Sequence, residues 1–517
     1  GLPANIEDFA GTHLLVVRRG QPVENIATFD VTIGGGGPEG PAGQDGADGA
    51  QGPAGQDGAN GQDGANGQDG ANGTDGEQGP AGADGVGVAS ATIDGAGNLI
   101  LTLTDGSQIN AGLVRDPSDP TSSWQQLGQD IDGEAAVDYS GWGVSLSANG
   151  NIAAIGAYFN DGNGTDSGHV RVFQYVGSSW QQLGSDIDGE AAQDRSGRND
   201  SVSLSADGSI VAIGSSRNTR NGFDSGHVRV YQYDGTNWQQ VGSDIDGEAA
   251  YNSFGCSVSL TPDGSIMAIG ARQNDGNGTD SGHVRVYQYD GTDWQQLGSD
   301  IDGEAAGDEF GVSAALSADG NIVAIGAWKN DGINGADSGH VRVFKYDGAN
   351  WQQLGDDIDG EAAGDASGLR VSLSADGNIV AIGAWQNDGN GTDSGHVRVY
   401  QYDGASWQQL GSDIDGEAAG DRAGFPVEIS PSGNIMAIGA RFNDGNGTDS
   451  GHMRIYQYDG ASWQQLGSDI DGEAAGDWSG CEVSLSADGN IVAIGAKLND
   501  GINGTDSGHV RVYQLTP

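Results

Sequence analysis

The sequence is short of basic residues, cysteine, proline and long apolar runs, and each shortage excludes something. Its 517 residues carry 21 Lys and Arg against 73 Asp and Glu, a formal charge of -52. A chain this acidic repels phosphate backbones, so duplex nucleic acid is excluded as a partner. No stretch approaches the roughly 18–20 consecutive apolar residues of a helical membrane span, so none is expected. Cys256 and Cys481 are the only cysteines. Two do not make a disulfide scaffold, and their spacing is not that of metal ligands, so free thiols are expected. Hydrophobic residues amount to 35%, which is low, yet 11 Trp, 14 Tyr and 10 Phe are too many for a wholly disordered acidic chain. Nothing basic and then apolar leads from Gly1, so either a signal was removed or none existed.

What is present is repetition. Trp-Gln-Gln recurs with Trp at 124, 180, 238, 294, 351, 407 and 463, at spacings of 56 to 58 residues. Each copy approximates WQQLGSDIDGEAAGD, a variable stretch around Ser-Gly, VSLSADGNIVAIGA, NDGNGTDSG and HVRVYQYDG. Four short strands joined by Asp-Gly and Ala-Asp-Gly-Asn turns make one antiparallel unit, and seven such units over 124–517 predict a seven-bladed β-propeller. The first Trp-Gln-Gln-Leu lacks a preceding strand and the last strand, from His509, lacks a following one. Trp124 to Gly128 is therefore expected as the outer strand of the seventh blade, closing the ring. An open solenoid is the alternative.

The repeat resembles the FG-GAP repeats of integrin-alpha-type propellers. The resemblance rests on Phe254-Gly255, Phe310-Gly311 and the later Ile-Gly-Ala, as at Ile269-Gly270-Ala271. Such blades usually hold a calcium loop between their first two strands. Here that turn is only Ala206-Asp207-Gly208-Ser209, and one carboxylate does not make that site. Two other loops are richer in oxygen: Asp130, Asp132, Glu134 and Asp138 in one, and Asp161, Asn163 and Asp166 in the other. They are candidate calcium ligands, since calcium takes six to eight oxygens. Asp, Asn and Gly also serve tight turns through side-chain-to-backbone hydrogen bonds, and this second reading stays open.

Seven of the eight histidines, the first at His169 and the last at His509, follow Asp-Ser-Gly at the start of the third strand. A catalytic histidine is not needed seven times. An imidazole hydrogen-bonded to a loop Asp or to backbone, pinning one blade to the next, is expected. The Arg of each His-Val-Arg-Val is expected to face outward and pair with acids. No nucleophile-base pair or metal triad occupies a unique position, so an enzyme is not expected.

Differences between copies concentrate at two places, around Ser-Gly before the first strand and after Ile-Gly-Ala. These ends share one edge of an antiparallel pair, so both sets belong on one face of the disc. They hold ten of the 18 bases of 124–517 and all four Trp outside Trp-Gln-Gln. Tyr139, Trp142, Arg195, Arg198, Arg370, Arg422 and Trp478 come from the first place. Tyr158, Arg217, Arg272, Trp328, Lys329, Trp385, Arg441 and Lys497 come from the second. Planar rings beside fork-shaped donors suit sugars, acidic ones above all, so these residues are the candidate glycan-binding set.

Upstream, Gly occupies every third position from Gly37 to Asp84, 16 uninterrupted triplets. Strict Gly-X-Y is a collagen signal and implies a homotrimer, with a rod of roughly 140–150 Å. The rod has nine acids and no base per chain, a self-repulsion that cations relieve. The expected layout is an N-terminal docking segment (1–36), a triple helix (37–85), a small trimeric β-knob (86–115), a linker (116–123) and the propeller (124–517). The order of head, rod, knob and recognition domain resembles phage tail fibres. That resemblance implies a trimeric fibre docked to a virion by its head and binding host-surface glycans by its propellers. The alternative is a secreted bacterial or algal adhesin or matrix filament, extracellular and calcium-stabilised.

Overall fold

The computed structural model describes residues 123–516 throughout and, before them, strands at 13–16, 27–30, 88–93, 98–103 and 108–113. The chain divides into two units, Gly1–Arg115 and Asp116–Pro517. In the first, His13–Val16 pairs antiparallel with Ala27–Asp30. Val88–Ile93, Asn98–Leu103 and Gln108–Leu113 form a three-stranded antiparallel meander within the segment 86–115 read as the small β-knob. The Gly-X-Y rod and the linker at 116–122 lie outside the described residues.

The second unit is a seven-bladed β-propeller. Blade one runs Ser140–Leu146, Ile152–Ala157, His169–Val176 and Ser179–Gln182, with Ile187–Asp188 pairing beside the third strand. Five more sheets repeat this plan. The seventh takes three strands from the C-terminus, and its fourth is Ser123–Gln126, which pairs antiparallel with His509–Thr516 through Leu515 opposite Trp124. The ring is closed by the strand the sequence left over, and the open solenoid is ruled out.

Turn chemistry sets the strand lengths. Asp207 Oδ1 accepts from the Ser209 amide at 2.9 Å and the Ser205 hydroxyl at 2.7 Å, tying the turn between first and second strands. Asp234 Oδ1 does the same for the amides of Thr236 and Asn237 before Trp-Gln-Gln. The third strands, such as His227–Tyr233, are buried over their first five residues rather than at every second one. The reason is that each sheet packs a neighbour on both faces. The core is accordingly interleaved between blades: Val228 and Val230 of blade two meet Phe254, Val258, Met267 and Ile269 of blade three.

Three repeated contacts bind blade to blade. The indole N–H of each Trp-Gln-Gln donates to a backbone carbonyl of the preceding blade, as Trp180 to Leu127 and Trp238 to Leu183, both at 2.8 Å, and Trp124 to Leu466 at 2.9 Å. A Ser of the first strand accepts from the next blade, as Ser145 Oγ from the Leu204 amide at 3.0 Å. Third, the Gly of Ile-Gly-Ala lies flat against the next blade's Ser-Gly carbonyl. A Cβ on Gly326 would stand 1.8 Å from Gly368 O. Replacing Gly326 by Ala therefore forces two backbones apart. An increase in unfolding free energy is excluded. We expect a loss of about 1–3 kcal/mol or more, measured by denaturant melts of the full chain.

Candidate functional site

The last of the repeated contacts also places the variable residues. A parallel bridge joins the Gly before each His to the Ser-Gly start of the next blade, as Gly168 with Ser196 and Gly339 with Ser367. The loop leaving one blade's second strand is thereby held beside the start of the next blade's first strand. Seven such junctions surround the axis and enclose a cavity of about 280 Å³. Every blade contributes: Trp142, Arg198, Arg272, Trp328, Arg370, Trp385, Arg441, Trp478 and Lys497 of the fifteen candidate residues line it.

The cations sit on aromatic faces. The Arg441 guanidinium lies 3.5 Å from the Phe425 ring centroid, Arg422 lies 4.5 Å from Trp385, and Arg198 lies 5.3 Å from Trp142. Lys497 rests between the rings of Trp142 and Trp478. Burial makes these charges costly, and desolvation pulls Arg198 and Arg441 down to about 10 and Lys497 to about 7. Apart from Arg370, whose Nε and Nη2 face acids, five buried donors around the cavity, Trp142 Nε1, Trp385 Nε1 and Nε of Arg198, Arg272 and Arg441, have no hydrogen-bond partner.

The remaining six candidates lie outside the cavity lining. Tyr139 stacks on Tyr158 with centroids 5.7 Å apart, and Arg195 covers Phe159 at 4.7 Å, an aromatic patch on blades one and two that adjoins the cavity where Tyr158 meets Trp142 edge-on at 4.9 Å. Arg217 pairs with Asp224 at 3.1 Å, and Arg422 with Asp393 at 3.3 Å. Lys329 and Trp328 both hold Glu309, at 2.6 and 3.0 Å. Arg370 is a lining residue that is not free, since its Nε lies 3.2 Å from Asp200 Oδ1 and Nη2 lies 4.0 Å from Glu482 Oε2.

That acidic group behind the cavity wall was not singled out from the sequence. Burial raises Asp200, lifts Glu482 well above the carboxylate range and takes Glu428 to about 8. Signals existed. Blade two is two residues longer than most, and the excess is the short turn Asn199–Ser201 that carries Asp200. Glu428 stands where five of the other six copies have Ser, and it accepts from the Leu485 amide at 2.9 Å in that Ser's place.

The two acidic loops do not each gather into one cage. Asp130 stands by His509 and Glu473, and Glu134 by His169 and Asp186. The backbone carbonyl of Asp132 accepts from Arg171 at 2.7 Å. Asp138 is buried and accepts from the Ala135 amide and Asn160 Nδ2, each at 3.0 Å. Asp161 Oδ1 accepts from the Asp166 amide at 2.8 Å, and Asn163 Nδ2 donates across the junction to the Gly189 carbonyl at 2.9 Å. The hydrogen bonds of Asp138, Asp161 and Asn163 are turn and junction contacts.

The histidines differ from expectation. All seven are buried, but His169 makes no hydrogen bond through either ring nitrogen, and its nearest carboxylates are 3.9 Å away, beyond hydrogen-bond reach. Pinning falls to the Trp indoles instead. Desolvation and the adjacent Arg171 hold His169 down to about 4, so it is neutral. The strand Arg are also not outward: Arg171 is 7% exposed and reaches Glu134 within the junction at 3.4 Å.

Comparison with protein families finds a match to the collagen triple helix repeat (20 copies) over residues 32–89 and to the FG-GAP repeat over 244–287 and 301–344. The chain carries collagen and FG-GAP repeats. No curated protein matches it. The two FG-GAP matches fall on blades three and four, whose Phe254 and Phe310 are buried at 1% and 0% exposure. There the aromatic that elsewhere is Ser-Gly's Ser has become part of the interblade core. Cys256 and Cys481 are free, as expected, with their thiols toward backbone carbonyls.

Removing the Arg370 charge leaves Asp200 and Glu482 facing each other without a cation. Arg370→Met should cost about 3 kcal/mol at pH 7, and the loss should shrink as pH falls and the acids protonate. Denaturant melts at several pH values read both effects.

Proposed function

We infer that a collagen-like rod joined to an FG-GAP propeller makes this a structural or adhesive protein of the extracellular space or a surface; neither matched repeat is an enzyme family. The collagen repeat implies trimeric assembly. Among the described residues no helix is long and apolar enough to cross a membrane.

We propose that the protein is a trimeric receptor-binding fibre whose propellers bind acidic cell-surface glycans in the central cavity, in the setting of a virion tail or collar fibre attaching to its host. The observation that carries the glycan reading is the set of five buried donors without acceptors, set among indole planes and three desolvated cations. Buried donors are satisfied in native proteins. A sugar carboxylate or sulfate supplies the missing acceptors, and its ring faces stack on Trp328 and Trp385. The order of head, rod, small β-unit and recognition disc supports the virion setting, with a docking partner at the N-terminus. A secreted adhesin is the second setting for the same chemistry. In either, three discs on one stalk convert weak single sites into avid attachment. Calcium belongs to the proposal as a screen for the acids of the rod.

A glycan array with full-length protein tests the reading. We expect signal confined to acidic glycans and lost by at least tenfold in the Trp328→Ala/Trp385→Ala double variant, with the trimer intact by light scattering. Neutral-glycan binding, or binding unchanged in the variant, overturns it. Lys497 is charged below its value of about 7, so affinity should fall as pH rises from 6 to 8.5; a flat profile counts against its role.

A further inference from the structure

We propose that the blade junctions hold divalent first-row transition-metal ions, each bound by the Nδ1 of the repeated histidine, one Glu oxygen and one Asp oxygen. The first such trio is Glu134, His169 and Asp186, whose three ligand atoms lie within 4.8 Å of one another. His169 is 1% exposed, and its Nδ1, without a hydrogen bond, points between Glu134 Oε2 and Asp186 Oδ2, each 3.9 Å away. That separation is too long for a hydrogen bond. It suits two ligands about 2.0–2.2 Å from one ion.

The other oxygens of these carboxylates are already engaged. Arg171 Nη1 lies 3.4 Å from Glu134 Oε1, and Gln182 Nε2 donates to Asp186 Oδ1 at 2.6 Å. The oxygens facing His169 are the ones left over, so outer partners orient the inner ligands as they do around bound metals. The pattern recurs. At the closing junction His509 Nδ1 is 3.9 Å from both Asp130 Oδ2 and Glu473 Oε2, while Gln126 and Arg511 take Oδ1 and Oε1. This junction opens on a pocket of about 680 Å³. His340 repeats it with Asp357 Oδ2 at 3.8 Å, and His396 with Glu361 Oε2 at 3.9 Å.

Three junctions are filled by the chain's own cations. At His227 the loop has Arg220 where the other copies have Gly, and Arg220 pairs with Asp244. At His283 and His452 the strand Arg swings across, and Arg285 and Arg454 fork onto Asp300 and Asp469 at 2.8–2.9 Å. Guanidinium groups thus occupy the place where the remaining four junctions have room for an ion. The imidazole ligand selects zinc, manganese, cobalt or nickel over calcium, which prefers oxygen alone.

The experiment uses cobalt(II) with metal-stripped, full-length protein, reading ligand-field absorption and metal content after dialysis. We expect about four ions per chain. Changing Glu134, Glu304, Glu361 and Glu473 together to Gln alters exposed side chains and leaves the core alone; it should remove at least tenfold in affinity. Arg220→Gly should add one ion per chain. Absence of saturable binding, binding indifferent to the four Glu→Gln changes, or an excess of calcium displacing cobalt stoichiometrically would each overturn the assignment. The glycan reading is untouched by any of these outcomes.

Discussion

The disc depends on a backbone contact that leaves no room for a side chain. At each of the seven junctions the glycine of Ile-Gly-Ala, or of Ile-Gly-Ser in blade two, meets the next blade's carbonyl so closely that an added Cβ would stand 1.8 to 2.3 Å from it. This contact fixes the distance between blades at the axis, and the parallel bridge after it fixes their rotation. Both must repeat seven times for the ring to close, which accounts for the monotony of the sequence. Residues one or two positions from the contact are freed of structural duty and thrown toward the axis. Nine of the fifteen variable candidates therefore line one cavity for the same reason that their neighbours do not vary.

Electrostatics follow the same division. The disc is acidic on its turns, where carboxylates tie backbone amides, and that charge is spent locally on hydrogen bonds. At the axis, desolvation dominates: it lowers Lys497 and two Arg and raises Glu428 and Glu482. Rings carry the cations there, and the acids behind them are held by Arg370 and a backbone amide. A site in which charged groups are kept dry and short of partners is one in which a complementary ligand gains most.

Much of this was legible in the sequence, because repetition exposes both the scaffold and its exceptions. The strand left over at Trp124 foretold the closure, and the alignment of the copies placed Trp142, Trp328, Trp385 and Lys497 on one face. What escaped was the burial that a single strand does not reveal. The third strand reads as half-exposed by its alternation, yet packing on both faces buries Arg171 and His169. The pinning assigned to histidine belongs to the indole of Trp-Gln-Gln, whose N–H reaches a carbonyl about one full repeat back. The acid pocket of Asp200, Glu428 and Glu482 joins residues from three blades and becomes visible only once the ring is closed.

The most direct test of the account is a structure of the full-length protein with a bound acidic oligosaccharide. The account places the ligand's acidic group among Arg198, Arg441 and Lys497 and a sugar face against Trp328 or Trp385. Ligand bound on the outer Trp-Gln-Gln strands or along the acidic turns, with the axial cavity unchanged, would contradict it.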